Sequence, residues 1–285
     1  MPIRLFIIFL LTFTSCDTGS EKNGANPGDL GDVSTDNKGI NNAGKDQNFE
    51  VLITKSSFDN FEALEKEWNY NYPWGSDHNG SARMTTSTQN HDQISLDNGV
   101  LTITATPLMG DAGKSSHPPY LKIKYHAASL HAKQVIQVNR GYPKYELSGE
   151  FKAPVDKGTW PAFWITAVNG WPPESDILEF KGDSLNWQNT FITPKDVFTE
   201  KTAVPDAPLK WHKYSAVLEM IDDQDIMITY YTDGERTASH KANFTDKPMW
   251  VIINLQMEGS SGSPGPSSPV TYQSRNVELI RYRNQ

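Results

Sequence analysis

The chain has 285 residues, a formal net charge of −8 at pH 7 and a single cysteine. An acidic chain without a basic stripe argues against nucleic-acid binding, and one cysteine excludes an intramolecular disulfide framework. Aromatic residues make up 11% of the sequence, glycine and proline are frequent, and short apolar runs recur at close spacing. These features predict a single all-β domain, either a sandwich or a barrel.

The N-terminus has the pattern of a secretory signal. Met1–Arg4 is short and basic, Leu5–Phe13 is apolar, and two small residues follow, so we assign residues 1–15 to a signal peptide. The apolar run is too short to cross a bilayer as a helix. Cys16 comes directly afterwards, which resembles a bacterial lipoprotein cleavage site. We therefore expect Cys16 to be lipidated; a signal peptide with an incidental cysteine is the alternative.

Residues 16–48 are predicted to be a lipid-anchored flexible linker. They consist mainly of Gly, Asn, Asp, Ser and Lys, and such a segment cannot bury enough apolar surface to fold. A folded domain is predicted to span residues 49–285. With a lipidated Cys16, the protein would belong to the bacterial cell envelope, anchored to a membrane at the periplasmic face or the cell surface.

The most informative segment is Glu174–Glu179, where three acids fall within six residues of an otherwise strand-like run. Strand alternation places Glu174 and Asp176 on one face. Glu179 has the opposite parity unless one extra residue, a β-bulge, rotates it back. Neighbouring carboxylates repel each other, but a retaining glycosidase needs two carboxyl groups about 5–5.5 Å apart. An acidic surface loop after Trp171-Pro172-Pro173 is the alternative.

Three tryptophans accompany the acids. Trp160 and Trp164 share one face of the predicted strand Thr159–Thr166, and Trp171 precedes the first acid. Flat aromatic rings offer the kind of surface on which sugar rings stack, so we expect all three to bind substrate. For Trp160 and Trp164, a place in the core is the alternative.

The segment Lys157–Gly182 resembles glycoside hydrolase family 16. The resemblance rests on Gly158–Trp164, which reads G-T-W-P-A-F-W, on Trp171-Pro172, and on E-x-D-x-x-E in its bulged form. Weaker similarity extends from about Phe58 to Arg283. The resemblance, of laminarinase, lichenase or agarase type, implies an all-β jelly-roll sandwich of two antiparallel sheets with an open concave substrate cleft.

The resemblance also implies a reaction, the retaining endo-hydrolysis of a β-linked polysaccharide. Glu174 would be the nucleophile and Glu179 the acid/base, with Asp176 between them favouring the protonated form of Glu179. We expect a β-1,3- or β-1,3/1,4-glucan as substrate. A β-galactan of agar, porphyran or carrageenan type is the alternative within this class. A non-catalytic glycan-binding lipoprotein is the alternative outside it, although a pure binder has no reason to keep all three acids.

Further substrate contacts are expected from polar residues. Asn79 and Arg83 lie in an irregular segment, where exposed loop residues are the alternative, and Asn254 and Gln256 lie on the polar face of the predicted strand Met249–Met257, where plain solvent exposure is the alternative. The histidines show no metal-ligand spacing, so no metal or cofactor is assigned; the resemblance allows a structural calcium whose ligands the sequence does not place. We expect a monomer whose partners are the polysaccharide and, through the anchor, a membrane.

Two positions depart from the family pattern. The family commonly carries a histidine on the strand after the acids, but Trp187–Phe191 contains none. The family's T-S-G-R segment reads His126-Ala127-Ala128-Ser129, without the arginine. These departures leave the sugar specificity open.

Overall fold

The computed structural model describes residues 48–284, which fold into two β-sheets. The predicted signal peptide 1–15, Cys16 and all but the last residue of the predicted linker 16–48 lie outside the described residues. Within the described residues, no helix is long and apolar enough to cross a membrane.

Strands supply most of the described structure. Their bounds are β1 (Phe49–Ile53), β2 (Trp68–Tyr70), β3 (Ala82–Met84), β4 (Ile94–Asp97), β5 (Val100–Pro107), β6 (Tyr125–Ala127), β7 (Ser129–Ile136), β8 (Lys144–Lys152), β9 (Thr159–Ala167), β10 (Glu174–Glu179), β11 (Leu185–Thr193), β12 (Asp196–Ala203), β13 (His212–Met220), β14 (Ile226–Thr232), β15 (Glu235–Ala242), β16 (Met249–Met257) and β17 (Val270–Tyr282). One helix, α1 (Phe61–Glu67), and a 3-10 turn at Gly259–Ser261 complete the elements.

The two sheets have ten and seven strands. The larger runs β15-β14-β13-β8-β17-β5-β6-β3, with β1 paired to β17 and β4 to β5. The smaller runs β12-β11-β10-β9-β16-β7-β2. Every ladder among the described residues is antiparallel except the short one between β3 and β6. The predicted jelly-roll sandwich of two antiparallel sheets is therefore confirmed, with one parallel ladder as a local exception.

Aromatic side chains fill the space between the sheets. Phe151 of the larger sheet and Phe163 of the smaller one are fully buried, with ring centroids 4.8 Å apart. Tyr272 stacks on Phe151 from the neighbouring strand β17 at 5.6 Å. The core-facing side of β9 is therefore fixed by packing, so the residues of opposite parity must face away from the core.

The helix α1 has a capped N-terminus and a sharply defined end. Asn60 caps it by accepting a hydrogen bond from the Ala63 amide at 2.9 Å, as expected of an N-cap side chain. Trp68 follows the helix directly, begins β2 and is almost fully buried. Pairing of β2 with β7 thus ends the helix at Glu67.

Candidate active site

A β-bulge at Ile177 brings the three acids to one face of β10. Glu174 is opposite Thr166 and Asp176 is opposite Trp164, but Leu178 is opposite Phe163 and Glu179 is opposite Ala162. Ile177 is thus the extra residue, which resets the parity of the strand. The predicted bulge is present, and Glu174, Asp176 and Glu179 all face away from the core.

These carboxylates line a cleft of about 560 Å³ on the outer face of the seven-stranded sheet. Strands β9, β10, β11 and β16 form its floor, and residues from the loops before β3 and after β16 form part of its walls. The lining residues are Trp74, His78, Asn79, His117, Trp160, Ala162, Trp164, Thr166, Ala167, Val168, Gly170, Trp171, Glu174, Asp176, Glu179, Lys181, Phe191, Asn254, Gln256 and Ser260.

Glu174 lies beneath an exposed indole. The Trp171 Nε1–H donates to Glu174 Oε2 at 2.8 Å, and the Trp171 side chain is 48% exposed. Burial raises the pKa of Glu174 to about 7, the charge of Glu179 adds to this rise, and the hydrogen bond from Trp171 opposes it. Since that hydrogen bond favours the ionised form, Trp171 helps to keep a nucleophilic carboxylate available near neutral pH.

Glu179 is held by three donors. Trp160 Nε1 donates to Oε1 at 2.7 Å, Asn189 Nδ2 donates to Oε2 at 2.8 Å, and Lys181 Nζ lies 2.9 Å from Oε2. The Glu179 amide donates to the side-chain oxygen of Asn186 at 2.9 Å. Both the backbone and the carboxyl group of Glu179 are therefore fixed in position.

Asp176 lies between the two glutamates and is almost completely buried. The Asn189 Nδ2 that contacts Glu179 also donates to Asp176 Oδ2 at 2.8 Å, so one amide nitrogen bridges two carboxyl groups. Thr199 donates to the Asn189 oxygen at 2.8 Å, which sets the orientation of the amide. Burial, followed by the charges of Glu179 and Glu174, raises the pKa of Asp176 well above its usual range. The cluster therefore favours retention of a proton at neutral pH.

Sequence reasoning missed Asn189 and Lys181. Asn189 lies on β11, the strand on which the family histidine is absent, and its parity directs it toward the acids. Lys181 follows Glu179 by two residues and so shares its face. Side-chain alternation along β11 and just after β10 indicates which residues share a face. Which of these faces lie side by side depends on the register between the strands, and the sequence alone does not give that register.

Trp160, Trp164 and Trp171 all line the cleft, although Trp160 and Trp164 are buried, and their predicted contact with substrate stays a prediction. Trp164 donates through Nε1 to Asn254 Oδ1 at 2.7 Å. The ring of His78 stacks on Trp164 at 6.0 Å, and Trp74 meets Trp164 edge-on at 6.1 Å. Burial, with a smaller contribution from the charge of His117, lowers the pKa of His78 to about 4. His78 is therefore a neutral ring, suited to stacking.

Asn79 and Gln256 also line the cleft, as predicted for substrate contacts. The Asn79 side-chain oxygen is buried and has no hydrogen-bond partner among residues 48–284. The Gln256 oxygen, in contrast, accepts from the amides of Ala82 and Met257 at 2.7 and 2.9 Å. Gln256 thereby attaches β3 to the edge of the cleft.

Arg83 is not among the residues that line the cleft. Its guanidinium pairs with both oxygens of Asp77 at 2.8 and 3.1 Å and donates to the carbonyls of Ala112 and Lys114. These bonds join the segment that carries His78 to the loop that carries His117. The structure thus places Arg83 behind the cleft wall, and its predicted contact with substrate stays a prediction.

Among the described residues, no group of three His, Cys, Asp or Glu side chains is arranged to hold a metal ion. Calcium also binds backbone and amide carbonyl oxygens, so this finding does not decide the structural calcium allowed by the resemblance. Its presence or absence stays a prediction.

Comparison with known proteins finds enzymes that act on β-linked glycans. The chain is 43% identical over 239 residues to a galactan endo-β-1,3-galactanase of Flammulina velutipes, covering 82% of this chain and 91% of that protein. It is 27% identical to an endo-1,3-1,4-β-glycanase of Rhizobium meliloti, covering 60% of this chain and 35% of that protein. A solved endo-β-1,3(4)-glucanase of family GH16 superposes with a TM-score of 0.62 at 18% identity, over 84% of this chain and 93% of that one. No model of a protein family matches the chain.

The fold, the acid cluster and the relatives together define a glycoside hydrolase with a jelly-roll sandwich. The chain belongs to glycoside hydrolase family 16. The predicted endo-hydrolysis of a β-linked polysaccharide is confirmed at the level of reaction class, and the non-catalytic binder is set aside.

The acid cluster generates a prediction about stability. The pKa of Asp176 is raised in the folded state. The folded state therefore loses stability as the pH rises from the pKa of Asp176 in the unfolded chain to its pKa in the folded protein. We expect Asp176→Asn to raise the melting temperature by about 2–4 °C at pH 8, equivalent to about 1 kcal/mol for a domain of this size, and by less at pH 4. Calorimetry at both pH values measures this.

The exposed acid Asp92 provides the control. Asp92→Asn makes the same chemical change without relieving a buried charge, so it should leave the melting temperature nearly unchanged at both pH values. A gain for Asp176→Asn that is equal at pH 4 and pH 8 would contradict the burial argument.

Proposed function

We propose that this chain is a retaining endo-hydrolase of a β-1,3-linked galactan. The observation that carries the reaction type is the convergence of Glu174, Asp176 and Glu179 on one face of β10 inside an aromatic cleft. The 43% identity to the galactan endo-β-1,3-galactanase supports galactan as the polymer. A β-1,3- or β-1,3/1,4-glucan is the second candidate, supported by the more distant endo-1,3-1,4-β-glycanase.

In the first step, the ionised Glu174 attacks the anomeric carbon of the sugar above it. The bond from that carbon to the leaving oxygen breaks, and Glu179 transfers its proton to this oxygen. A glycosyl ester on Glu174 results. Asn189, bound to both Asp176 and Glu179, keeps the acid/base positioned while its charge changes.

In the second step, Glu179 acts as a base. It takes a proton from a water molecule that attacks the anomeric carbon, the ester bond to Glu174 breaks, and the carboxylate is restored. Two displacements at the same carbon return the original β configuration. Trp171 contributes in both steps, because its indole N–H stabilises the Glu174 carboxylate.

The aromatic residues are proposed to bind the polymer on both sides of the acids. Trp171 and Phe191 lie together beside Glu174, with ring centroids 5.4 Å apart, and Trp164 with Trp74 and His78 forms a second surface. The apolar face of a galactose ring is suited to stacking on such surfaces.

The roles of the two glutamates are tested by Glu174→Gln and Glu179→Gln. Each substitution keeps the shape of the side chain but removes the nucleophile or the proton donor, so we expect kcat on β-1,3-galactan to fall by several orders of magnitude. Reducing-end assays on β-1,3-galactan, a β-1,3-glucan and a mixed-linkage glucan, with product sizing, measure rate, substrate and endo action together.

The exposed acid Glu235 provides the control, and Glu235→Gln should behave as the wild type does. Near-wild-type turnover by either cleft variant would disprove the role given to that residue. Faster hydrolysis of a glucan than of the galactan would reverse the proposed substrate.

The stereochemical outcome is a separate test. Because the bulge places Glu174 and Glu179 on the same strand face, their carboxyl groups can approach the short separation of retaining enzymes, which leaves no room for the water of an inverting reaction. Proton NMR of a fresh digest should show the β-anomer first, with the α-anomer growing only by mutarotation. An α signal at the earliest time point would contradict the nucleophilic role of Glu174.

We further propose that the enzyme is tethered to the bacterial cell envelope by a lipid on Cys16, where it acts as a monomer. The basic and apolar segments before Cys16 support this proposal. Radiolabelled palmitate should be incorporated into the wild type and not into Cys16→Ser. Equal labelling of both, or labelling of neither, would disprove the tether.

A further inference from the structure

The outer edge of the seven-stranded sheet carries two different surfaces on the cleft side. Strands β11 and β12 pair Phe191 with Val197, Asn189 with Thr199 and Trp187 with Lys201. Because Asn189 contacts the acids, all three pairs face the cleft side of the sheet. The pair beside Glu174, Phe191 and Val197, is apolar, and the Phe191 ring lies beside the Trp171 ring. The pair on the Glu179 side is an indole and an ammonium group.

Two ammonium groups lie over the Trp187 ring. Lys181 Nζ is 4.7 Å from its centroid and Lys201 Nζ is 3.5 Å away. Like charges repel, so two lysines on one indole are favourable only where the ring's negative face or an anion offsets the repulsion. Lys181 is paired with Glu179 at 2.9 Å. Lys201 has no ion pair with a carboxylate of residues 48–284, and Glu200 has the opposite parity on β12.

These lysines form a cationic surface on a protein whose net charge is −8. Lys181 lines the cleft, and an ammonium group has three N–H donors, of which the pair with Glu179 uses one. An anion that reached both Lys181 and Lys201 would therefore find N–H donors that no carboxylate of residues 48–284 uses. Sugar units next to Glu179, the residue proposed to protonate the leaving oxygen, would lie beside this surface, because Lys181 is paired with Glu179.

We propose that Lys181, Trp187 and Lys201 form a subsite for an anionic substituent, a carboxylate or a sulfate ester, carried by sugar units of the galactan next to Glu179. The pair Phe191 and Val197 beside Glu174 is apolar, so the anion is expected beside Glu179 rather than beside Glu174. The inference extends the proposed function and rests on it for the identity of the polymer backbone.

The test measures binding in a Glu174→Gln background, so that hydrolysis does not consume the polymer. The probes are a β-1,3-galactan bearing uronic acid groups, the same polymer after carboxyl reduction, and a sulfated β-1,3-galactan. We expect the uronate polymer, the sulfated polymer or both to bind about fivefold more tightly than the reduced one, a difference typical of a partly exposed charge-assisted contact. Raising the salt concentration should reduce this preference.

Three further substitutions in that background identify the site. Lys201→Gln should abolish the preference for the charged polymer, and Lys201→Arg should retain it because the cation is kept. Lys195→Gln, in the same hairpin and exposed, removes the same charge outside the subsite and should also retain it. Tighter binding of only one of the two charged polymers assigns the anion as carboxylate or sulfate.

Equal affinity for charged and neutral polymers, or an equal loss with Lys195→Gln, would overturn the inference. Failure of the proposed function looks different, because the wild type would then leave β-1,3-galactan intact in the hydrolysis assay whatever the binding preference.

Discussion

The extra residue at Ile177 is the constraint on which the site depends. Ile177 and Leu178 are both fully buried, and the register of β10 against β9 shifts between Asp176 and Leu178, which makes Ile177 the bulged residue. Two neighbouring apolar side chains are therefore buried at the bulge, and the same shift in register turns Glu179 toward the cleft. Hydrophobic packing behind the sheet and carboxylate chemistry in front of it are fixed by the same irregularity in the ladder.

Three neighbouring carboxylates on one strand, of which Asp176 and Glu179 are almost fully buried, are unfavourable, and the surrounding donors are arranged to offset this. Each acid receives at least one side-chain hydrogen bond, from Trp171, Asn189 or Trp160, and Lys181 supplies the one ion pair found for them among the described residues. These donors do not fully offset the cost of burial and the smaller cost of mutual repulsion, because the pKa values of Glu174 and Asp176 stay raised. Retention of a proton by one of these two carboxyl groups is therefore favoured near neutral pH.

The cleft walls depend on polar anchors behind them. Arg83 holds Asp77 and two carbonyls, and Glu258 accepts from Lys124, Ser81 and Ser263. Each of these anchors joins segments distant in sequence. Irregular loops can therefore present Trp74, His78 and Ser260 to the cleft without a regular strand to support them.

Local sequence determined the class of fold, the acids and the need for a bulge, because alternation and residue spacing are properties of a single strand. The spacing alone placed Glu174 and Asp176 on one face; Glu179 joined them only on condition of a bulge, which the family resemblance implied and the ladder contains. Asn189, Lys181 and the paired lysines over Trp187 could not, because their positions depend on which strands are neighbours and in which register. Arg83 shows the same limit, since only the folded loops reveal that Asp77 engages its guanidinium. Pairing between distant segments is decided by the packing of the whole sandwich, and that packing is the reason the tertiary structure was needed to complete the site.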